Sequence, residues 1–175
     1  MTGNAKRETQ TRNFEENSTN ILGNFWDFPA KAVTKITLTQ GEQSLELLRN
    51  QDGEWTRTGQ SLTDDQREKI PTALGALGRL QAARWTARGA DKLATYEIIQ
   101  RKKSVTLELQ HNGQTLTRKI QFGKQSELFN YFAFATDPLE QEAVVFECPL
   151  NTYNACEIIL FPLLTPALPN PGTEQ

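Results

Sequence analysis

Residues 104–122 constrain the fold more than any other stretch. Ser104-Val105-Thr106-Leu107-Glu108-Leu109 alternates polar and apolar, as does Thr115-Leu116-Thr117-Arg118-Lys119-Ile120-Gln121-Phe122. A period of two puts every second side chain on one face of a strand. Between the runs stands Asn112-Gly113, two residue types that accept the positive φ angles of a type I′ turn. The stretch therefore predicts a β-hairpin, with Gly123 closing the return strand. A hairpin with one apolar face needs more strands and a covering layer to be stable.

The rest of the chain supplies them. Lys35-Ile36-Thr37-Leu38-Thr39 alternates, Gly41-Glu42-Gln43 turns, and Ser44–Arg49 returns. Asp52-Gly53 reads as another type I′ hairpin signal before a third strand that begins at Trp55. Ile36, Leu38, Leu45, Leu47 and Trp55 are core candidates. Asn130–Ala135 and Ala143–Glu147 read as two more strands. Thr63-Asp64-Asp65-Gln66 has the form of a capping box, with acids placed where the helix dipole favours them. Ile70, Leu74, Leu77 and Leu80 follow at helical spacing. Pro71 stands inside that helix, and an interior proline costs about 3 kcal/mol, so a kink or break is expected there. Gly75 and Gly78 leave room for a backbone to approach. A last helix, capped by Asn151 or Thr152, runs through Tyr153, Cys156, Ile159 and Leu160 and stops at Pro162.

Strands followed by a helix, twice over, imply an α+β domain on antiparallel sheet. It divides into two strand-meander-plus-helix halves, about 25–95 and 96–164. A length of 175 residues suits one domain, expected over 25–164. Residues 1–24 are polar, with only Phe14, Ile21 and Leu22 as sizeable apolar groups, and read as a disordered tail or stalk. Residues 165–175 carry Pro166, Pro169 and Pro171 and read as a Pro-rich disordered tail. Phe25, Trp26 and Phe28 are expected to dock the start of the domain onto the sheet.

The chemistry-bearing residues are sparse. His111 is the lone histidine, beside the Asn112-Gly113 turn, and reads as solvent-exposed. There is no CxxC, no Gly-rich phosphate loop and no nucleophile elbow. No catalytic residue, metal site or cofactor is expected, and the chain does not read as an enzyme. Cys148 and Cys156 leave two readings open: a disulfide pinning the last helix to a strand end, or two buried free thiols.

Charge is unevenly spread. All 19 basic residues lie at or before Lys124, against 14 of the 21 acids, so residues 1–124 carry +5 and residues 125–175 carry −7. The halves can neutralise each other across one fold, or present a basic face to an acidic protein or an anionic membrane surface. Arg84, Arg88, Lys102 and Lys103, which bracket the link between the halves, are the candidate partner contacts. No stacking-aromatic motif accompanies them, so nucleic acid is not expected.

The ordered set of features resembles the bacterial family catalogued as domain of unknown function 4340. The resemblance covers roughly residues 28–160. It begins with Phe28-Pro29-Ala30 and the Val33–Leu38 strand, then Asp52-Gly53-Glu54-Trp55 and the Ile70/Leu74/Leu77/Leu80 helix. It continues through Leu93-Ala94-Thr95-Tyr96, Leu116 to Gly123, Tyr131-Phe132-Ala133 and Val144-Val145-Phe146. The family's usual Tyr-Gly-Leu and following proline are replaced here by Tyr96-Glu97-Ile98 with no proline before Ser104. The resemblance implies an extracytoplasmic, periplasmic-side domain, commonly anchored by one N-terminal membrane helix. It also implies a place near transporter components of the kind linked to gliding motility, and no catalytic residues. No such anchor stands in this sequence, so residues 1–24 are expected to be its stalk, or the domain to be a soluble member. The expected function is a non-enzymatic interaction module with a protein partner in a membrane assembly. The alternatives are a small-ligand domain with a cleft between its halves, and an enzyme of unfamiliar type. Nothing in the sequence specifies an oligomeric state.

Overall fold

A computed structural model describes residues 26–136 and 143–164. The tail expectations for 1–24 and 165–175, and Phe25, lie outside the described residues. Eight strands form one sheet: β1 (Val33–Gln40), β2 (Gln43–Arg49), β3 (Trp55–Arg57), β4 (Arg84–Arg88), β5 (Lys103–His111), β6 (Gln114–Gln125), β7 (Tyr131–Thr136) and β8 (Ala143–Cys148). The order is β3-β2-β1-β5-β6-β7-β8-β4, and every neighbouring pair is antiparallel. The α+β, antiparallel expectation is met.

Two meanders meet at the centre. β1 pairs with β5 through Ile36↔Leu107 and Leu38↔Val105, so a hydrogen-bonded ladder joins the halves. β1, β2 and β3 run outward on one side as β5, β6 and β7 do on the other. This gives the sheet an approximate two-fold relation that matches β2 with β6 and β3 with β7. β4 breaks the symmetry. It leaves the first half and pairs with β8 at the far edge, through Arg84↔Glu147 and Trp85↔Phe146.

One helical layer covers one face. Helix α1 (Asp64–Gly78) starts at Thr63, whose hydroxyl accepts from Gln66 N while the Gln66 side chain accepts from Thr63 N. Ile70, Ala73, Leu74 and Leu77 are buried from it. The expected break at Pro71 is absent, because the exposed proline faces away while the cap and the apolar stripe hold both sides of it. A short turn, α2 (Ile98–Arg101), precedes β5. Helix α3 (Leu150–Ala155) begins after Pro149, one to two residues before the expected cap. It continues as a π turn (Cys156–Leu160) and a 3-10 turn (Phe161–Leu164), so Pro162 does not end it. Phe161, Leu163 and Leu164 are buried, and that burial carries the helical path past the proline.

Under this layer lie Ile36, Leu38, Leu47, Trp55, Val105, Leu107, Ile120, Phe122 and Phe146, with Leu45 packed at the margin. Trp26 is buried, 1% exposed, but the segment docks along the end of α1 where the sheet was expected: the Trp26 backbone N–H donates to Leu80 O at 3.1 Å, and Phe28 N donates to Gly78 O at 3.0 Å. The Gly78 position would place a Cβ 2.1 Å from Phe28 O, whereas Gly75 faces open space. Of the two glycines expected to permit close approach, only Gly78 does so.

The second face is covered in part by residues 89–101, which cross back from β4 to β5. Ile98 and Val145 are fully buried there, apart from the main core. The Tyr96 ring lies 4.5 Å from Phe132, and Lys124 N donates to Tyr96 O at 3.0 Å. A Cβ at Gly123 would stand 2.1 Å from that oxygen, so the crossover needs a glycine here. Gly123 does not close β6, as the sequence suggested; the strand runs on to Gln125.

Candidate functional site

The chemistry gathers at the end of the sheet where β4 and β5 begin. The β6–β7 connection, residues 126–130, projects there. Ser126 N donates to Asn130 O at 2.7 Å and Phe129 N to Ser126 O at 3.0 Å. The β2–β3 connection, at the opposite end, has the same pattern: Asn50 N to Glu54 O at 2.9 Å and Gly53 N to Asn50 O at 3.0 Å. The fourth residue of each turn is left-handed, with φ +82° at Gly53 and φ +67° at Phe129. Asp52 does not have positive φ, so the expected type I′ turn there is instead a three-residue loop closed by Gly53. Asn112-Gly113 is type I′ as expected, with φ of 51° and 76°.

The two loops occupy two-fold-related places, and their sequences differ in one telling respect. A left-handed conformation suits glycine and costs a residue with a side chain about 1–2 kcal/mol. The first half has Gly53 at this position; the second has Phe129. That aromatic side chain is 68% exposed and Leu128 beside it is 62% exposed, so neither gains burial to offset the strain. Leu150, at the start of α3, adds a third exposed apolar side chain close by.

The tip is braced from below. Glu147, only 4% exposed, accepts from Ser126 Oγ at 2.7 Å and from Asn130 Nδ2 at 3.4 Å. Arg84 Nη1 lies 4.0 Å from its other oxygen. Asn130 Oδ1 accepts from Leu150 N at 3.2 Å, and Gln125 Nε2 donates to Phe129 O at 3.2 Å. One buried carboxylate thus ties the loop, β8 and the β4 edge together.

A second cluster lies on the helix side of the same end. Lys103 Nζ donates to Tyr153 OH at 2.9 Å and also to Glu157 Oε2, while Tyr153 OH donates to Glu157 Oε2 at 2.9 Å. The ammonium lies 5.2 Å from the Tyr153 ring centroid and 4.7 Å from that of Phe161. Tyr131 stacks on Tyr153 at 3.6 Å. Burial raises the Tyr153 phenol above its ordinary pKa, and the hydrogen bond and charge of Glu157 add to that. Cation, phenol and carboxylate satisfy one another, so the cluster fastens α3 to β5.

Cys148 and Cys156 are both fully buried and unbonded, which is the free-thiol reading of the two left open. Burial raises both thiols; that of Cys156 is pushed up to about 12, with the Glu157 charge adding and Lys103 opposing. A buried thiol with so high a pKa is a poor nucleophile.

The four candidate partner contacts do not form one patch. Arg84, Lys102 and Lys103 share this end of the sheet, but three strands stand between β4 and β5. Arg88 lies at the opposite end of β4, half-buried. Lys103 is held within the Tyr153–Glu157 cluster, and Lys102 pairs with Glu42 at 3.2 Å. His111 is exposed at the far end, 3.1 Å from the Asn112 side chain. Among the described residues, no group of three or more His, Cys, Asp or Glu side chains could hold a metal ion. The sequence reading missed β4, the crossover and the tip. Ser126-Glu127-Leu128-Phe129-Asn130 does carry a signal, since two large apolar residues in a short loop without glycine are unusual.

Comparisons with family models, curated proteins and solved structures find no match to this chain.

Proposed function

We propose that this protein is a non-enzymatic interaction module on the extracytoplasmic side of a membrane-associated assembly, of the transporter or gliding-motility-linked kind that the family resemblance implies. The observation that carries the interaction reading is the contrast between Gly53 and Phe129 in equivalent turns. A strained backbone that displays an aromatic side chain to water weakens the fold, and such local conflicts concentrate where a surface has another use. The ionisable groups near the tip support the same reading, because Lys103, Tyr153 and Glu157 are engaged with one another. The location and the kind of assembly rest on the resemblance alone.

Recovery of the protein from its native membrane, with identification of co-purifying chains, tests the proposal. The wild-type protein should retain a defined partner chain that a Leu128→Asp/Phe129→Gly variant loses. Recovery without any partner, together with a bound metabolite, would favour the small-ligand reading instead.

A further inference from the structure

We propose that Asn112 is a site of spontaneous covalent modification: in the folded protein the Asn112-Gly113 turn closes to a succinimide and reopens in water to aspartyl and isoaspartyl forms. This goes beyond the interaction reading and does not depend on it.

The chemistry is an internal acyl transfer. Gly113 N gives up its proton and bonds to Asn112 Cγ. The Cγ–Nδ2 bond breaks, and ammonia leaves carrying that proton. Water then opens the ring. Attack at Cγ restores the ordinary main chain as aspartate. Attack at the Asn112 main-chain carbonyl breaks its bond to Gly113 N, and the chain then runs through Cγ as isoaspartate.

Three observations place the reaction here. First, Asn112-Gly113 is the sole Asn-Gly pair in the chain. A side chain on the following residue would shield the attacking nitrogen. At Gly113 there is none, and nothing lies within 4 Å of where a Cβ would stand. Second, residues 111–114 are all exposed, so water reaches the ring. The ladder closes at His111↔Gln114, which leaves the Gly113 N–H outside it. Third, the backbone is half-way to the product. A planar ring eclipses Cβ with the Gly113 nitrogen, which requires φ and ψ of about +60° and −120°, the values at the first central residue of a type II′ turn. Asn112 already has φ 51°. Rotating one peptide plane turns type I′ into type II′, both types suit a two-residue hairpin, and Gly113 accepts either sign of φ. The strands need not part. By contrast, Asn50, Asn130 and Asn151 have their Oδ1 atoms held by backbone N–H groups, and each precedes a residue with a side chain.

Both products place a new carboxylate at the turn, and the isoaspartyl form also lengthens the main chain there. Hairpin register depends on loop length, so the His111↔Gln114 pair is the one disturbed. The next pairs, Gln110↔Thr115 and Leu109↔Leu116, stay joined, with Gln110 Nε2 donating to Thr115 Oγ1 at 2.8 Å.

The test incubates the full folded chain at neutral pH over days, beside a synthetic peptide of residues 104–118. Trypsin releases Ser104–Arg118, in which Asn112 is the sole asparagine. Tandem mass spectrometry with electron-transfer fragmentation follows the acid form and separates aspartyl from isoaspartyl. Acid should accumulate at residue 112 with isoaspartyl in excess, the signature of a succinimide. Reaction from the folded turn should run within about a hundredfold of the peptide's rate, whereas waiting for global unfolding would slow it by about a thousandfold or more. Asn112→Gly keeps a dipeptide suited to type I′ and should show no acid in this peptide. A folded-state rate below that hundredfold limit, aspartyl as the sole product, or acid that persists in Asn112→Gly would each overturn the proposal.

Discussion

Two glycines three residues apart in α1 should respond in opposite directions to the same substitution. Gly75→Ala adds a methyl group where nothing lies within 4 Å. Alanine is better than glycine in a helix by about 1 kcal/mol, so this variant should be more stable by roughly that amount. Gly78→Ala gains the same propensity but puts its Cβ 2.1 Å from Phe28 O, which belongs to backbone and cannot rotate away. Relief requires the Trp26–Phe28 segment to leave the helix. That loses two hydrogen bonds, Trp26 N to Leu80 O and Phe28 N to Gly78 O, worth about 1 kcal/mol each. It also exposes Trp26, now 1% exposed, and losing a buried tryptophan costs about 3–5 kcal/mol. Subtracting the propensity gain leaves a net loss of about 4–6 kcal/mol. Urea unfolding followed by circular dichroism reads both changes as midpoint shifts, and tryptophan fluorescence reports whether Trp26 meets water. Equal stabilisation of the two variants would refute the close approach at Gly78.

Three further outcomes follow from the packing. Stability should fall on the alkaline side: the Cys156 thiol sits near 12 in the fold against about 9 ordinarily, so the unfolded chain ionises first. The loss begins near the ordinary thiol value and grows by about 1.4 kcal/mol per pH unit up to the folded value, with Cys148 adding in the same direction; a Cys148→Ala/Cys156→Ala variant should show a flatter profile in urea titrations. Gly123→Ala should lift the crossover off β6 and abolish slow exchange of the Lys124 amide, read by hydrogen exchange; retained protection would contradict the contact with Tyr96 O. Removing Lys103 as Lys103→Met should cost about 2–3 kcal/mol by leaving Glu157 half-buried without its cation, and Glu157→Gln in the same chain should restore part of it, a coupling that a double-mutant cycle measures.

The legible parts of the fold were those written in local chemistry. Alternation over residues 35–39, 104–109 and 115–122 gave strands with correct faces, because a strand's pattern of burial repeats every two residues. The capping box at Thr63–Gln66 and the turn at Asn112-Gly113 were readable for the same reason, since each is satisfied within four residues. Pro71 misled because a local cost was overridden by the burial of Ile70, Ala73, Leu74 and Leu77 on either side. The Asp52-Gly53 turn was placed correctly but mistyped, since Asn50 Oδ1 accepts from Asp52 N and Glu54 N and settles the loop in another form.

The candidate site was less legible. Arg84, Lys102 and Lys103 bracket the link between the halves in sequence, but the sheet order separates β4 from β5. Lys103 meets Tyr153 and Glu157 across 50 and 54 residues, a pairing that no local pattern announces. Phe129 stands out because its turn matches that of Gly53, a correspondence set by the three-dimensional pairing of distant segments.

By itself, the sequence determined the element types, the two meander-plus-helix units, the core stripe and the strong caps and turns, because these depend on side chains a few residues apart. The tertiary structure alone decided that β1 joins β5, that β4 crosses to the edge of β8, and that one sheet end carries both the Glu147 brace and the exposed tip. Those outcomes depend on which distant surfaces bury each other best, and that competition is settled across the whole chain at once.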